Sequence, residues 1–93
     1  MGDHRETYRR AQQAEWQVGH GTIRVTPVVG DTIELSGVRA IVWAVLDQPR
    51  TRRQVLDESL AVDPLLDESA ILATLGEMRS SGLVWLSAQD IAI

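Results

Sequence analysis

The sequence predicts an α+β fold of winged-helix-like layout, and three observations predict it. Two short stretches, Thr22-Ile23-Arg24-Val25-Thr26 and Thr32-Ile33-Glu34-Leu35, alternate apolar and polar residues with the period of a strand. A nearly all-apolar segment, Val38 to Leu46, opens behind Ser36-Gly37 and stops at Asp47-Gln48-Pro49. Two amphipathic segments then follow, and the second ends at Ser80-Ser81-Gly82 ahead of the apolar Leu83-Val84-Trp85-Leu86.

Residues 1–15 read as a polar tail, flexible or loosely docked, separate from a folded domain over residues 16–93. Only Tyr8, Ala11 and Ala14 in it are available to bury, which does not offset the entropy of ordering. Arg5 to Glu15 is at best a frayed helix, since isolated helices of that length are marginal in water. Trp16 is the first anchor of the fold. In the two alternating stretches, Ile23, Val25, Ile33 and Leu35 fall on one face, and Gly30-Asp31 supplies the turn between them. Such a pair is barely stable alone and must pack on helices.

Ser36 is placed to cap a first helix whose wide apolar stripe is Val38, Ile41, Val42, Val45 and Leu46. A strand over Ile41–Val45 competes, but the Ser cap and the bounds at Gly37 and Pro49 favour helix. Thr51-Arg52-Arg53-Gln54 is a capping box opening a second helix with Val55, Leu56 and Leu60 inward. Asp67 caps a third helix carrying Ile71, Leu72, Leu75 and Met78, and Gly82 sits where a C′ glycine belongs. Leu83 to Leu86 reads as a closing strand.

The 93-residue length fits one lean domain, and three Trp, one Tyr and no Phe leave a core of Leu, Val, Ile and Ala. With no cysteine, disulfides, thiolate chemistry and Cys-based zinc sites are excluded. No apolar run reaches the roughly 18–20 residues that span a bilayer. The first residues lack the apolar stretch of a signal peptide, so a cytoplasmic protein is expected. Every cation is Arg, and the net charge of −4 counts against general nucleic-acid binding.

Catalytic and metal chemistry find no constellation. His4 and His20 have no partners at ligand spacing, so no metal site is expected. Asp57-Glu58 and Asp67-Glu68 fall on helix surfaces or caps, where carboxylates complement the dipole. Ser36, Ser59, Ser80 and Ser81 lack a base, and Gly19-His20-Gly21 is no phosphate loop. Neither catalytic residues nor cofactors are expected. A helix-turn-helix drawn from Thr51 to Gly82 would aim Glu68 and Glu77 at phosphates, with Arg79 the lone cation on that helix. Arg50, Arg52 and Arg53 form a small basic cluster, more consistent with a solvated face.

The run Ile33-Glu34-Leu35-Ser36, then Arg39-Ala40-Ile41-Val42-Trp43-Ala44-Val45-Leu46-Asp47, Pro49-Arg50-Thr51 and Ile71-Leu72-Ala73-Thr74-Leu75-Gly76-Glu77-Met78, closing at Gly82-Leu83-Val84, resembles the PqqD-like family, the RiPP recognition elements. The likeness extends from about Trp16 to Leu86, mostly through core and cap positions. It implies an N-terminal three-stranded antiparallel sheet packed on three helices. It also implies a role: binding the leader segment of a ribosomally made precursor peptide and presenting it to a modifying enzyme or protease. In that family the leader adds a strand to the third strand, beside the third helix. Carried onto this chain, Thr32, Ile33, Glu34 and Leu35 form the edge, and Leu72, Leu75, Gly76 and Arg79 are groove candidates. The implied protein is a non-catalytic peptide chaperone, monomer or dimer, away from membranes. Alternatives are a winged-helix DNA-binding regulator, or a scaffold or dimerisation subunit of a maturation enzyme.

Overall fold

A computed structural model describes residues 4–90. Its elements run β1 (His4–Arg10), β2 (Glu15–Val18), β3 (Thr22–Thr26), β4 (Ile33–Ser36), α1 (Val38–Val45), β5 (Arg50–Thr51), α2 (Arg52–Val62), α3 (Glu68–Ser80) and β6 (Val84–Asp90). Two antiparallel three-stranded sheets, ordered β2-β3-β4 and β5-β1-β6, accompany the three helices, with β4 against α1, β6 against α3 and β5 against α2.

The first sheet follows from period-two patterning. Trp16 stands opposite Val25 and Val18 opposite Ile23, while Ile23 meets Leu35 and Val25 meets Ile33 across the next ladder. This row turns toward the helices, where Ile23, Val25 and Leu35 are buried. The opposite face is solvated, and there Arg24 and Glu34 pair across strands at 3.6 Å.

From β4 the chain reverses directly into α1. The residue before the first helical turn is Gly37, at φ 60° and without a side-chain cap, while Ser36 ends the strand. The expected Ser36 cap is thereby corrected. The sharp strand-to-helix turn needs a positive φ at its corner, which glycine tolerates and serine resists. The apolar stripe of α1 buries Val42, Trp43 and Val45 against β3, β4 and the other helices.

The α2 cap forms as its spacing predicts: Gln54 N–H donates to Thr51 Oγ1 at 3.2 Å and Thr51 N–H to Gln54 Oε1 at 2.9 Å. Thr51→Ala is expected to cost about 0.5–2 kcal/mol, read as a lower urea midpoint at unchanged slope. Asp67 caps α3 through Ser69 N–H. At its far end Leu83 N–H reaches Met78 O at 2.9 Å and Gly82 N–H reaches Arg79 O at 3.1 Å, with Gly82 at φ 83°. That is the Schellman pattern, and it fixes the exit of the chain into β6. Ser59 is fully buried on α2 and its Oγ has no hydrogen-bond partner. Ser59→Ala should therefore be neutral or stabilising by up to about 1 kcal/mol, again measured by urea denaturation.

The N-terminal expectation needs the largest correction. Residues 4–10 are neither tail nor helix but a strand paired along its whole length with β6, from His4 opposite Asp90 to Arg10 opposite Val84. The closing strand likewise runs beyond Leu86, to Asp90. Backbone pairing compensates for the low apolar content: seven residues of β1 gain ladder partners, and among its described side chains Tyr8 is the one hydrophobic packed against the core cluster. Arg10 then locks this sheet to the rest. Its guanidinium lies 4.6 Å from the Trp16 ring and 5.1 Å from the Trp43 ring, and it donates to the carbonyls of Trp43 at 2.9 Å and Ala44 at 3.3 Å. The last carbonyls of α1, at the negative end of its dipole, thus receive a cation. Burial lowers the Arg10 pKa from its usual value, an effect Asp47 opposes.

Candidate functional site

One edge of the first sheet is open beside a groove. β4 pairs with β3 alone, leaving its other side without a neighbouring strand among the described residues. The hairpin bond from Gly19 N–H to Thr22 O, 2.8 Å, fixes which backbone groups face which way. Directions alternate along an antiparallel ladder. Gly19, Gln17 and Glu15 therefore point toward β3, Ile23 and Val25 point toward β4, and Ile33 and Leu35 point back. Glu34 and Ser36 on β4 are left with outward N–H and C=O groups, with Thr32 next in the same phase.

Between this edge and the C-terminal half of α3 lies a groove of about 280 Å³ lined by Ile33, Leu35, Arg39, Glu77, Met78, Ser81 and Leu83. Its floor is apolar: Leu35, Met78 and Leu83 belong to the core, and Ile33 is half-buried against them. Arg39 from α1 and Glu77 from α3 close an ion pair at 3.2 Å, so the rim carries one charge of each sign. Both side chains are largely exposed, so the pair adds little stability and its partners are available to a ligand. The arrangement offers a strand's worth of backbone hydrogen bonds above an apolar trough.

The sequence-derived residues divide between this groove and other places. Ile33 and Leu35 line it, and Thr32 and Glu34 lie along its edge. Leu75 is buried in the core. Leu72 borders a separate shallow slot with Arg52, Arg53 and Leu56. Gly76 and Arg79 are exposed and do not line the groove. At about 100° per residue, Leu72, Gly76 and Arg79 project from roughly the opposite side of α3 to Glu77 and Ser81. The groove residues missed in the sequence are Arg39, Glu77, Met78, Ser81 and Leu83, which only the packing of α1, α3 and β4 brings together. Met78 and Ser81 fall a helical turn apart, just before the Gly82 stop.

A Cβ built on Gly76 would meet nothing within 4 Å. Gly76→Ala is accordingly expected to stabilise the protein by about 0.5–1 kcal/mol through helix propensity and to leave the groove untouched. A urea titration checks the first part and peptide affinity the second.

Other chemistries find little support in the geometry. Among the described residues no three His, Asp or Glu side chains converge on a metal-sized site. In the basic cluster, Arg50 pairs with Asp47 at 3.2 Å and donates to the Val45 carbonyl, and Arg53 pairs with Asp57 at 3.4 Å. No described helix is long and apolar enough to cross a membrane. Comparison with protein-family models, with curated proteins and with solved structures returns no match.

Proposed function

We propose that this chain is a non-catalytic recognition module. It captures the leader segment of a ribosomally synthesised precursor peptide by strand addition to β4 and delivers it to a modifying enzyme or protease. The observation that carries the reading is the juxtaposition of the open β4 edge with the apolar trough of Ile33, Leu35, Met78 and Leu83. Backbone bonds to Glu34 and Ser36 supply affinity with little demand on sequence, and alternate side chains of the added strand drop into the trough. The resemblance of the sequence to PqqD-like recognition elements supports the choice of a leader peptide as occupant.

Fluorescence anisotropy with a panel of labelled leader segments from ribosomally made precursor peptides tests the reading. Capture by edge bonds and apolar pockets should vary only a few-fold when salt rises from roughly 50 to 200 mM, whereas a DNA contact to six or more phosphates would lose about a thousandfold or more. Ser81→Arg, which fills the groove from its exposed rim, should abolish the peptide signal while the circular dichroism spectrum is retained. Peptide binding insensitive to Ser81→Arg, or salt-sensitive binding to duplex DNA in its place, contradicts the proposal.

A further inference from the structure

The first sheet has a second open edge, and its pattern is self-complementary. β2 pairs only with β3 among the described residues, and all four of its side chains are exposed. The alternation set by the Gly19–Thr22 bond turns the N–H and C=O groups of Trp16 and Val18 outward, away from β3. Trp16 and Val18 also carry the apolar row of this strand, on the helix-facing side with Ile23 and Val25, while Glu15 and Gln17 carry the polar row. The helices do not reach far enough to cover that row: Trp16 is 41 % and Val18 70 % exposed. Val18 borders an apolar recess with Ile41, Ala44 and Val62, the last 60 % exposed.

We infer that β2 is a homodimerisation edge, pairing antiparallel with β2 of a second copy about a two-fold axis through Gln17. A two-fold axis perpendicular to the sheet keeps the apolar row of one copy beside that of the other, which restricts the register to one centred on a residue. Centring on Gln17 sets Trp16 opposite Val18 of the second copy, and Val18 opposite its Trp16. These are the two residues with outward backbone groups, so the edge closes with about four backbone hydrogen bonds. On the polar face Gln17 meets Gln17, and Glu15 meets a glycine, Gly19, so no like charges oppose each other across the pair. On the apolar face Trp16 of the second copy covers Val18 at the mouth of the recess. β2 carries neither Lys nor Pro, the usual guards of an exposed edge. The product is a continuous six-stranded sheet that leaves both β4 edges free, so dimerisation by β2 is compatible with peptide capture and independent of it.

A cysteine replacement gives the most direct test, because the chain has no cysteine of its own. Residues at a non-hydrogen-bonded antiparallel position stand about 4.5 Å apart at Cα, within disulfide range. Gln17→Cys should cross-link to a covalent dimer under mild oxidation, and Glu34→Cys on β4, treated identically, should lag at least tenfold in rate. Sedimentation velocity on the unmodified chain should show a concentration-dependent dimer that Val18→Pro removes, since that proline deletes an outward donor and spares the β3 ladder. A protein that stays monomeric up to millimolar concentration overturns the inference. So does a dimer that survives Val18→Pro, or equal cross-linking at Gln17 and Glu34. None of these outcomes bears on leader binding, which anisotropy reads separately.

Discussion

Glu34→Pro is expected to leave the domain folded and to weaken leader capture by about tenfold or more. The two halves of that expectation come from one geometric fact. Glu34 pairs across the sheet with Arg24, but its N–H points away from β3, toward the open edge. Proline removes that donor and crowds the approach of an incoming strand. The ladder to β3, made through Ile33 and Leu35, keeps its bonds, and proline is tolerated on an edge strand whose N–H faces solvent. One net hydrogen bond contributes about 0.5–1.5 kcal/mol, and the peptide acceptor left unpaired costs a further 1–3 kcal/mol. Their lower range already amounts to about a factor of ten. Stability falls by little, because the Arg24–Glu34 pair that is lost is exposed on both sides. Ile33→Pro is the contrasting variant. Its N–H points toward β3, so it should unfold the sheet edge itself. Isothermal titration on Glu34→Pro, with circular dichroism on both variants, separates a lost site from a lost fold.

The second large effect concerns Trp43. It is wholly buried, and its ring meets Trp16 edge-on at 6.3 Å and carries the Arg10 guanidinium over its face. Trp43→Ala should therefore cost about 3–5 kcal/mol for cavity and transfer terms together. A domain of this size has only about 5–15 kcal/mol in total. The cation–π contact that helps hold β1 to α1 disappears at the same time. Trp43→Phe is expected to be far milder. Phenylalanine keeps an aromatic face for Arg10, and the indole N–H it removes is buried without a partner. Urea unfolding followed by far-ultraviolet circular dichroism should rank the three proteins as wild type, Phe, then Ala. Equal loss in both variants would mean that the fit of the indole, not the aromatic face, holds the sheets together.

What the sequence made legible was local. Period two located β3 and the bulk of β4, and Thr51 with Gln54 located the start of α2. Gly82 marked the end of α3, because its backbone requirement is satisfied within a few residues. β1 was not legible. His4-Arg5-Glu6-Thr7-Tyr8-Arg9-Arg10 has almost no apolar alternation, and its partner strand lies at the other end of the chain. Nothing within the segment encodes that pairing. Gly37 was visible as a residue but not as the corner it turns, since Ser36 offered a plausible competing cap. The candidate site was half legible. The edge residues Ile33 and Leu35 follow from strand alternation, whereas the groove face of α3 depends on the rotation of that helix about its axis. Helical periodicity gives the buried stripe of Ile71, Leu75 and Met78, but it does not say which flank of the stripe β4 leaves uncovered. The choice of Leu72, Gly76 and Arg79 took one flank; the groove opens on the other, at Glu77 and Ser81.

The central claim is that an extended peptide docks on β4 above the trough formed with α3. A titration of the amide spectrum of the isotopically labelled chain with a panel of precursor leader peptides tests it most directly. The account predicts shifts concentrated on Thr32–Ser36 and on Glu77–Leu83, with Glu34 and Ser36 amides newly protected from exchange. Shifts confined to Arg52, Arg53 and Leu72, or an unchanged spectrum at high micromolar peptide, would contradict it.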